Sequence, residues 1–167
     1  LQSDLRRQRQ MCIRDRYTSN HATIWRWRKG YQHDFAARLD WSHNPDFKGA
    51  NHPPLVKVNG NLGREPIFIK AAPGAPVTLD AGATSDPDGD EFSFHWYPYR
   101  EAGTFPLTIH YRNLKWEGDK TPVLKLNAPA TKTPETIHFI LEVTDRGQPS
   151  LTAYRRVILQ ILSLIHI

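Results

Sequence analysis

Cysteine and methionine are almost missing: the 167 residues hold one of each, Cys12 and Met11, both inside the first sixteen positions. Beyond them no disulfide, thiol nucleophile or cysteine metal site can be built. Without a later methionine the start of translation is expected upstream, so the chain reads as the C-terminal piece of a longer protein. No stretch approaches the roughly 18 apolar residues of a membrane span, and the first residues lack the apolar core and cleavage site of a signal peptide. A Gly-x-Ser-x-Gly elbow, a phosphate-binding glycine loop, a dinucleotide fingerprint and a His-Glu-x-x-His pair are likewise absent, so enzyme chemistry has no motif to rest on.

Charge is unevenly spread. Residues 1–16 carry five arginines against two aspartates, a net +3 of the whole chain's +5. Asp4 to Arg16 (DLRRQRQMCIRDR) and Leu162 to Ile167 (LSLIHI) look like translated sequencing-adapter DNA, and 1–16 and 162–167 are set aside on that reading. The remainder is close to neutral. It has no basic stripe with interleaved aromatics, which excludes nucleic acid as the expected partner.

Between His21 and Trp41, Ile24, Trp27, Tyr31, Phe35 and Leu39 recur at spacings of three and four, which predicts one amphipathic helix with Asn20 as its cap and a weak point at Gly30. Two partners suit its aromatic stripe: the following domain, or a domain upstream. Ser42 to Pro54 then reads as a linker, with His43 and His52 as solvated loop residues. The organisation expected is therefore helix and linker over 17–50 and a folded domain over 51–161.

Across that domain short apolar or alternating segments are separated by turn signals: 55–58, 66–70, 76–79, 91–97, 107–111, 122–126, 136–144 and 154–161. The spacing predicts an all-β fold, an immunoglobulin-like antiparallel β-sandwich. Strict alternation places Ile137, Phe139, Leu141 and Val143 inward and His138, Ile140 and Glu142 on the opposite side. Phe92, Phe94 and Trp96 share the inward parity, and Asp145 to Pro149 reads as the turn of a final hairpin.

Two constellations could carry chemistry. The loop Ser85-Asp86-Pro87-Asp88-Gly89-Asp90 places carboxylates at alternate positions. Asp86, Asp88 and Asp90, with Asp145 across the loop end, are candidate ligands for a weakly held Ca²⁺, and the competing reading is a tight turn held by Asx hydrogen bonds. The second is aromatic: Tyr97, Tyr99, Tyr111 and Trp116 are candidate stacking residues for sugar rings, with Arg100, Glu101 or Lys115 as polar neighbours, against the alternative of core packing.

The string Ala22-Thr23-Ile24-Trp25-Arg26-Trp27-Arg28, the segments Asp34-Phe35-Ala36-Ala37-Arg38 and Asp40-Trp41, then Asn51-His52-Pro53-Pro54, the acidic loop, Glu101-Ala102-Gly103-Thr104 and Glu142-Val143-Thr144-Asp145, occur in an order that resembles one bacterial family. This is the family of cellulose-binding proteins with a nucleoside-hydrolase-like N-terminal domain and an immunoglobulin-like C-terminal domain. The resemblance spans Tyr17 to Ile161 and concerns the C-terminal part. It implies a secreted or periplasmic parent associated with polysaccharide, a non-catalytic accessory role for this piece, cellulose or a related glycan as ligand, and the hydrolase-like domain as partner in the same chain. No catalytic residue carries over. A structural spacer packed on that domain is the rival function.

Overall fold

The computed structural model describes residues 21–106 and 114–162. The predicted segment 107–111, Asn20 and the set-aside ends, apart from Leu162, lie outside them. No helix among these residues is long and apolar enough to cross a membrane. The chain divides into two compact units between Ala50 and Asn51.

In the first unit a short helix α1 (Ala22–Trp25) is followed by α2 (Arg28–His43). The break falls at Arg26-Trp27 and not at the expected Gly30, which α2 carries in its first turn. There the missing side chain costs little, because the leading N–H groups have no partner inside the helix anyway. Helix α2 ends at Asn44, whose backbone N–H bonds Asp40 O at 2.9 Å. The apolar stripe is exposed: Ile24, Tyr31, Phe35 and Leu39 keep between 47% and 64% of their surface, and Ala37 is the buried residue of α2. His43 closes this helix, its Nδ1 3.0 Å from Leu39 O, so it is not the loop residue expected. Asp46 caps a single 3-10 turn, Phe47–Gly49, by accepting from Lys48 N.

The second unit is an all-β sandwich. Its strands are β1 (Lys57–Val58), β2 (Asn61–Leu62), β3 (Ile67–Ala71), β4 (Pro76–Asp80), β5 (Phe92–Pro98), β6 (Trp116–Glu117), β7 (Val123–Asn127), β8 (Glu135–Asp145) and β9 (Thr152–Ile161). One sheet runs β3-β9-β8-β5, a second β4-β7-β6, and β1-β2 form a separate hairpin. That hairpin turns on Asn59 (φ 47°) and Gly60 (φ 80°), the left-handed pair that Asn-Gly adopts most readily in a two-residue turn. Pairing is antiparallel except that β3 lies parallel to β9, Ile67 opposite Val157. The chain leaves β3 for the other sheet and does not turn back on itself, so β3 fills the free edge of β9 running in the same direction.

Alternation supplies the core. Val77 and Leu79 of β4 and Leu124 and Leu126 of β7 face Trp96 of β5, Ile137, Phe139, Leu141 and Val143 of β8, and Val157, Leu159 and Ile161 of β9. Each such side chain contributes about 1.5–3 kcal/mol by leaving water. Trp96 is 1% exposed and its indole N–H donates to Thr121 O at 3.1 Å, so the polar atom of the largest core residue is satisfied. Phe92 and Phe94 pack against this core half-buried, ring edge to ring face at 5.5 Å.

Candidate functional site

The turns at one end of the sandwich show what the acidic residues do. Asp86 Oδ1 accepts from Asp88 N (2.9 Å) and Asp90 N (3.1 Å), the Asx turn that lets the loop reverse over Gly89 at φ 81°. Asp88 reaches back to the segment before β1: its Oδ2 accepts from His52 N at 2.6 Å, and the His52 imidazole lies 3.2 Å from its Oδ1. His52 is therefore bound to the loop and not merely solvated. Asp145 is 3% exposed and organises the β8–β9 connection. Its Oδ1 accepts from Gly147 N (3.1 Å) and Leu151 N (2.8 Å), and its Oδ2 from Asn51 Nδ2 (3.1 Å). Burial pushes its carboxyl pKa up, the three bonds pull against that, and nearby Asp86 adds to the rise.

Three of the four aspartates, Asp86, Asp88 and Asp145, thus have separate tasks. Among the described residues no group of three His, Cys, Asp or Glu stands close enough to hold a metal ion. Asp145 and Asp86 lie near each other, but two carboxylates are few for a cation that takes six to eight oxygens. Asp86, Asp88 and Asp145 each accept backbone hydrogens, and Asp86 Oδ2 is buried without a hydrogen-bond partner.

The aromatic candidates divide between the sheets. Tyr97 lies on the outward face of β5, and Tyr99 just beyond its end, where its backbone N–H donates to His138 O at 2.7 Å. Trp116 belongs to the other sheet: half-buried in β6, it sets its ring edge-on to Phe139 at 5.9 Å and packs on the core. Tyr111 lies outside the described residues. Lys115 precedes Trp116, and Arg100 and Glu101 occupy the turn after β5.

Register builds the outward face of the four-stranded sheet into three rows, because residues directly opposite share a face. His95, Glu142 and Tyr154 form the first; Tyr97, Ile140 and Arg156 the second; His138, Ile158 and Phe68 the third, which Tyr99 extends. His95 and Tyr97 stack obliquely at 5.1 Å between centroids, and His95 Nδ1 is 3.7 Å from Glu142 Oε2. Tyr154 is pushed up to about 12 by burial and by the Glu142 charge, so its phenol keeps its proton. Phe68 remains 62% exposed.

His138 and Ile140, on the side opposite the core as expected from alternation, are nevertheless buried at 6% and 7% exposure. Long side chains from flanking strands close over the middle of the face. The Arg156 guanidinium reaches His138, Nε donating to Nδ1 at 3.2 Å, and its carbon sits 5.9 Å from the centre of the Tyr99 ring. Burial first, and the Arg156 charge second, lower the His138 pKa, so the imidazole is a neutral acceptor at Nδ1. Arg156, His138 and Glu142 belong to this face although aromatic composition does not mark them. Their shared parity with Tyr97 across β5, β8 and β9 was the available signal.

The described residues of the second unit thus define a β-sandwich domain whose four-stranded sheet turns a mixed aromatic and charged face outward. The family model for the C-terminal domain of cellulose-binding protein Sde0182 matches residues 76–161, just over half of the chain, and the chain belongs to that family. A solved nucleoside hydrolase-related hypothetical protein from Saccharophagus degradans, associated with carbohydrate metabolism, is 32% identical with a TM-score of 0.78 over 87% of this chain. The chain spans about a third (34%) of that protein's length. Weaker likenesses include a human mucin-like protocadherin (14% identity, TM-score 0.41, 66% of this chain and 54% of that one). A 2,6-sialyltransferase of Photobacterium sp. JT-ISH-224 is similar at 15% identity and TM-score 0.39, over 60% of this chain and 18% of the other. Comparison with curated proteins finds no match.

Proposed function

We propose that this chain is a non-catalytic accessory domain that holds polysaccharide, cellulose or a related glycan, on the outer face of its four-stranded sheet, within a secreted or periplasmic parent. The observation that carries the reading is the first two rows of that face. Flat rings of Tyr97 and His95 stand beside Glu142 and Arg156, combining stacking surface for the apolar faces of pyranoses with groups that bond their hydroxyls. Membership of a family named for cellulose binding supports it.

The test is retention of the full chain on insoluble cellulose, compared with Tyr97→Ala and with Trp116→Ala. Tyr97→Ala is expected to weaken retention with little change in melting temperature. Trp116→Ala, which removes a ring packed on Phe139, is expected to lower the melting temperature instead. No retention of the parent chain overturns the binding role.

A second reading rests on α1 and α2. Their exposed stripe of Ile24, Tyr31, Phe35 and Leu39 suits a docking spacer against the rest of a nucleoside-hydrolase-related parent, whose activity would reside there. Expressed with that upstream part, the helices should lose exposure to hydrogen exchange; unchanged exchange over 28–43 rejects the spacer role.

A further inference from the structure

We propose that the glycan taken by the outer sheet face carries carboxylates, and that Arg156 is the residue that receives them; this deepens the polysaccharide-binding reading and rests on it.

Arg156 is held in place without an anion. Its Nε donates to His138 Nδ1 at 3.2 Å, with Nη2 directed to the same nitrogen, and its guanidinium lies 5.9 Å from the Tyr99 ring centroid. Both partners are neutral, an imidazole kept unprotonated and an aromatic face. Two other arginines behave differently: Arg38 pairs with Asp34 at 2.7 Å and Arg146 with Glu91 at 2.6 Å. Among the described residues Arg156 forms no ion pair, and its remaining N–H groups have no protein acceptor. Glu142, the acid on this face, sits one row away and is turned to His95 at 3.7 Å.

A cation pinned by neutral groups keeps its charge available, and its planar fork matches a carboxylate in a way that a mobile lysine does not. Tyr97 and Arg156 occupy one row with Ile140 between them. Two interstrand spacings separate them, about 10 Å, so a chain crossing the strands meets a stacking ring and then a guanidinium. A uronate or an oxidised glucose unit presents the same pyranose face as its neutral counterpart and adds the anion.

The decisive comparison is binding of the full chain to unmodified cellulose and to the same cellulose carboxylated at its primary alcohols. The expected result is at least about tenfold tighter binding to the carboxylated form, the range of one charge-assisted hydrogen-bonded contact. Arg156→Gln should remove the preference, Arg156→Lys should retain part of it, and Lys132→Gln, a surface charge elsewhere, should leave it intact. Equal binding of both celluloses by the parent chain overturns the inference while the glycan-binding role stands. Retention on neither overturns both. Loss of preference in Lys132→Gln as large as in Arg156→Gln assigns it to overall charge and also rejects the role of Arg156. The parent-chain comparison decides without any variant, should Arg156→Gln fail to fold.

Discussion

Arg155 and Arg156 are neighbours on β9, yet they stand on opposite faces of one sheet and meet opposite environments. Arg155 points inward beside the core residue Leu141, is 3% exposed, and its Nε and Nη1 have no hydrogen-bond partner. Burial lowers its pKa, against the pull of the Glu65 charge. Arg156 points outward, half-buried, with an imidazole and a phenol ring to hold it. A sheet buries whatever its parity dictates: the inner face tolerates a cation at a cost, and the outer face holds one half-buried against neutral partners.

The sharpest way to break this contrast is at the inner face. Phe139→Ala empties the centre of the core, where Phe139 is fully buried and meets Trp116. It should cost about 3–5 kcal/mol, read as a fall in the denaturation midpoint, and a loss below about 1 kcal/mol would mean that the two sheets do not pack through it. Asp145→Ala comes next, since it strands the amides of Gly147 and Leu151 and takes one acceptor from the Asn51 side-chain amide, which keeps Pro149 O. A loss of about 2–3 kcal/mol is expected by chemical denaturation, together with faster hydrogen exchange at Leu151.

A smaller effect has the opposite sign. Arg155→Met replaces an incompletely bonded buried cation by an apolar chain of similar reach and should stabilise the domain by about 1 kcal/mol or more. Equal or lower stability would show that water or backbone carbonyls satisfy the guanidinium.

The outer face responds to pH. His138 has its pKa lowered below the ordinary 6.5 on folding, so the unfolded chain takes up the proton first. Stability is therefore full above about pH 6.5 and declines as pH falls from there toward the native value. Asp145, raised on folding, acts in the other direction at lower pH: ionised, it costs stability, and protonation just above the ordinary carboxyl range relieves that cost. Melting temperature should fall on mild acidification, and His138→Gln, which still offers Arg156 an acceptor, should flatten the slope. The smallest effect is expected from calcium: millimolar Ca²⁺ should leave the melting curve where a chelator leaves it, and a rise of several degrees would mean that the Asp86 loop rearranges to bind.

Periodicity by itself determined the strands β3, β4, β5, β7, β8 and β9 to within a residue or two, because alternation and turn residues are local properties of the chain. It also placed Trp96 and the four inward residues of β8. The two-residue strands β2 and β6 left no period to detect. Composition indicated an acidic loop and an aromatic-rich region, but not how their members would be shared out. Tertiary structure decided that Asp88 answers His52, that Asp145 anchors Asn51, and that Trp116 and Tyr97 serve different sheets. It also brought Tyr97, Ile140 and Arg156, far apart in sequence, into one row. Register is a relation between strands, set by which faces must leave water together, and no single segment contains it.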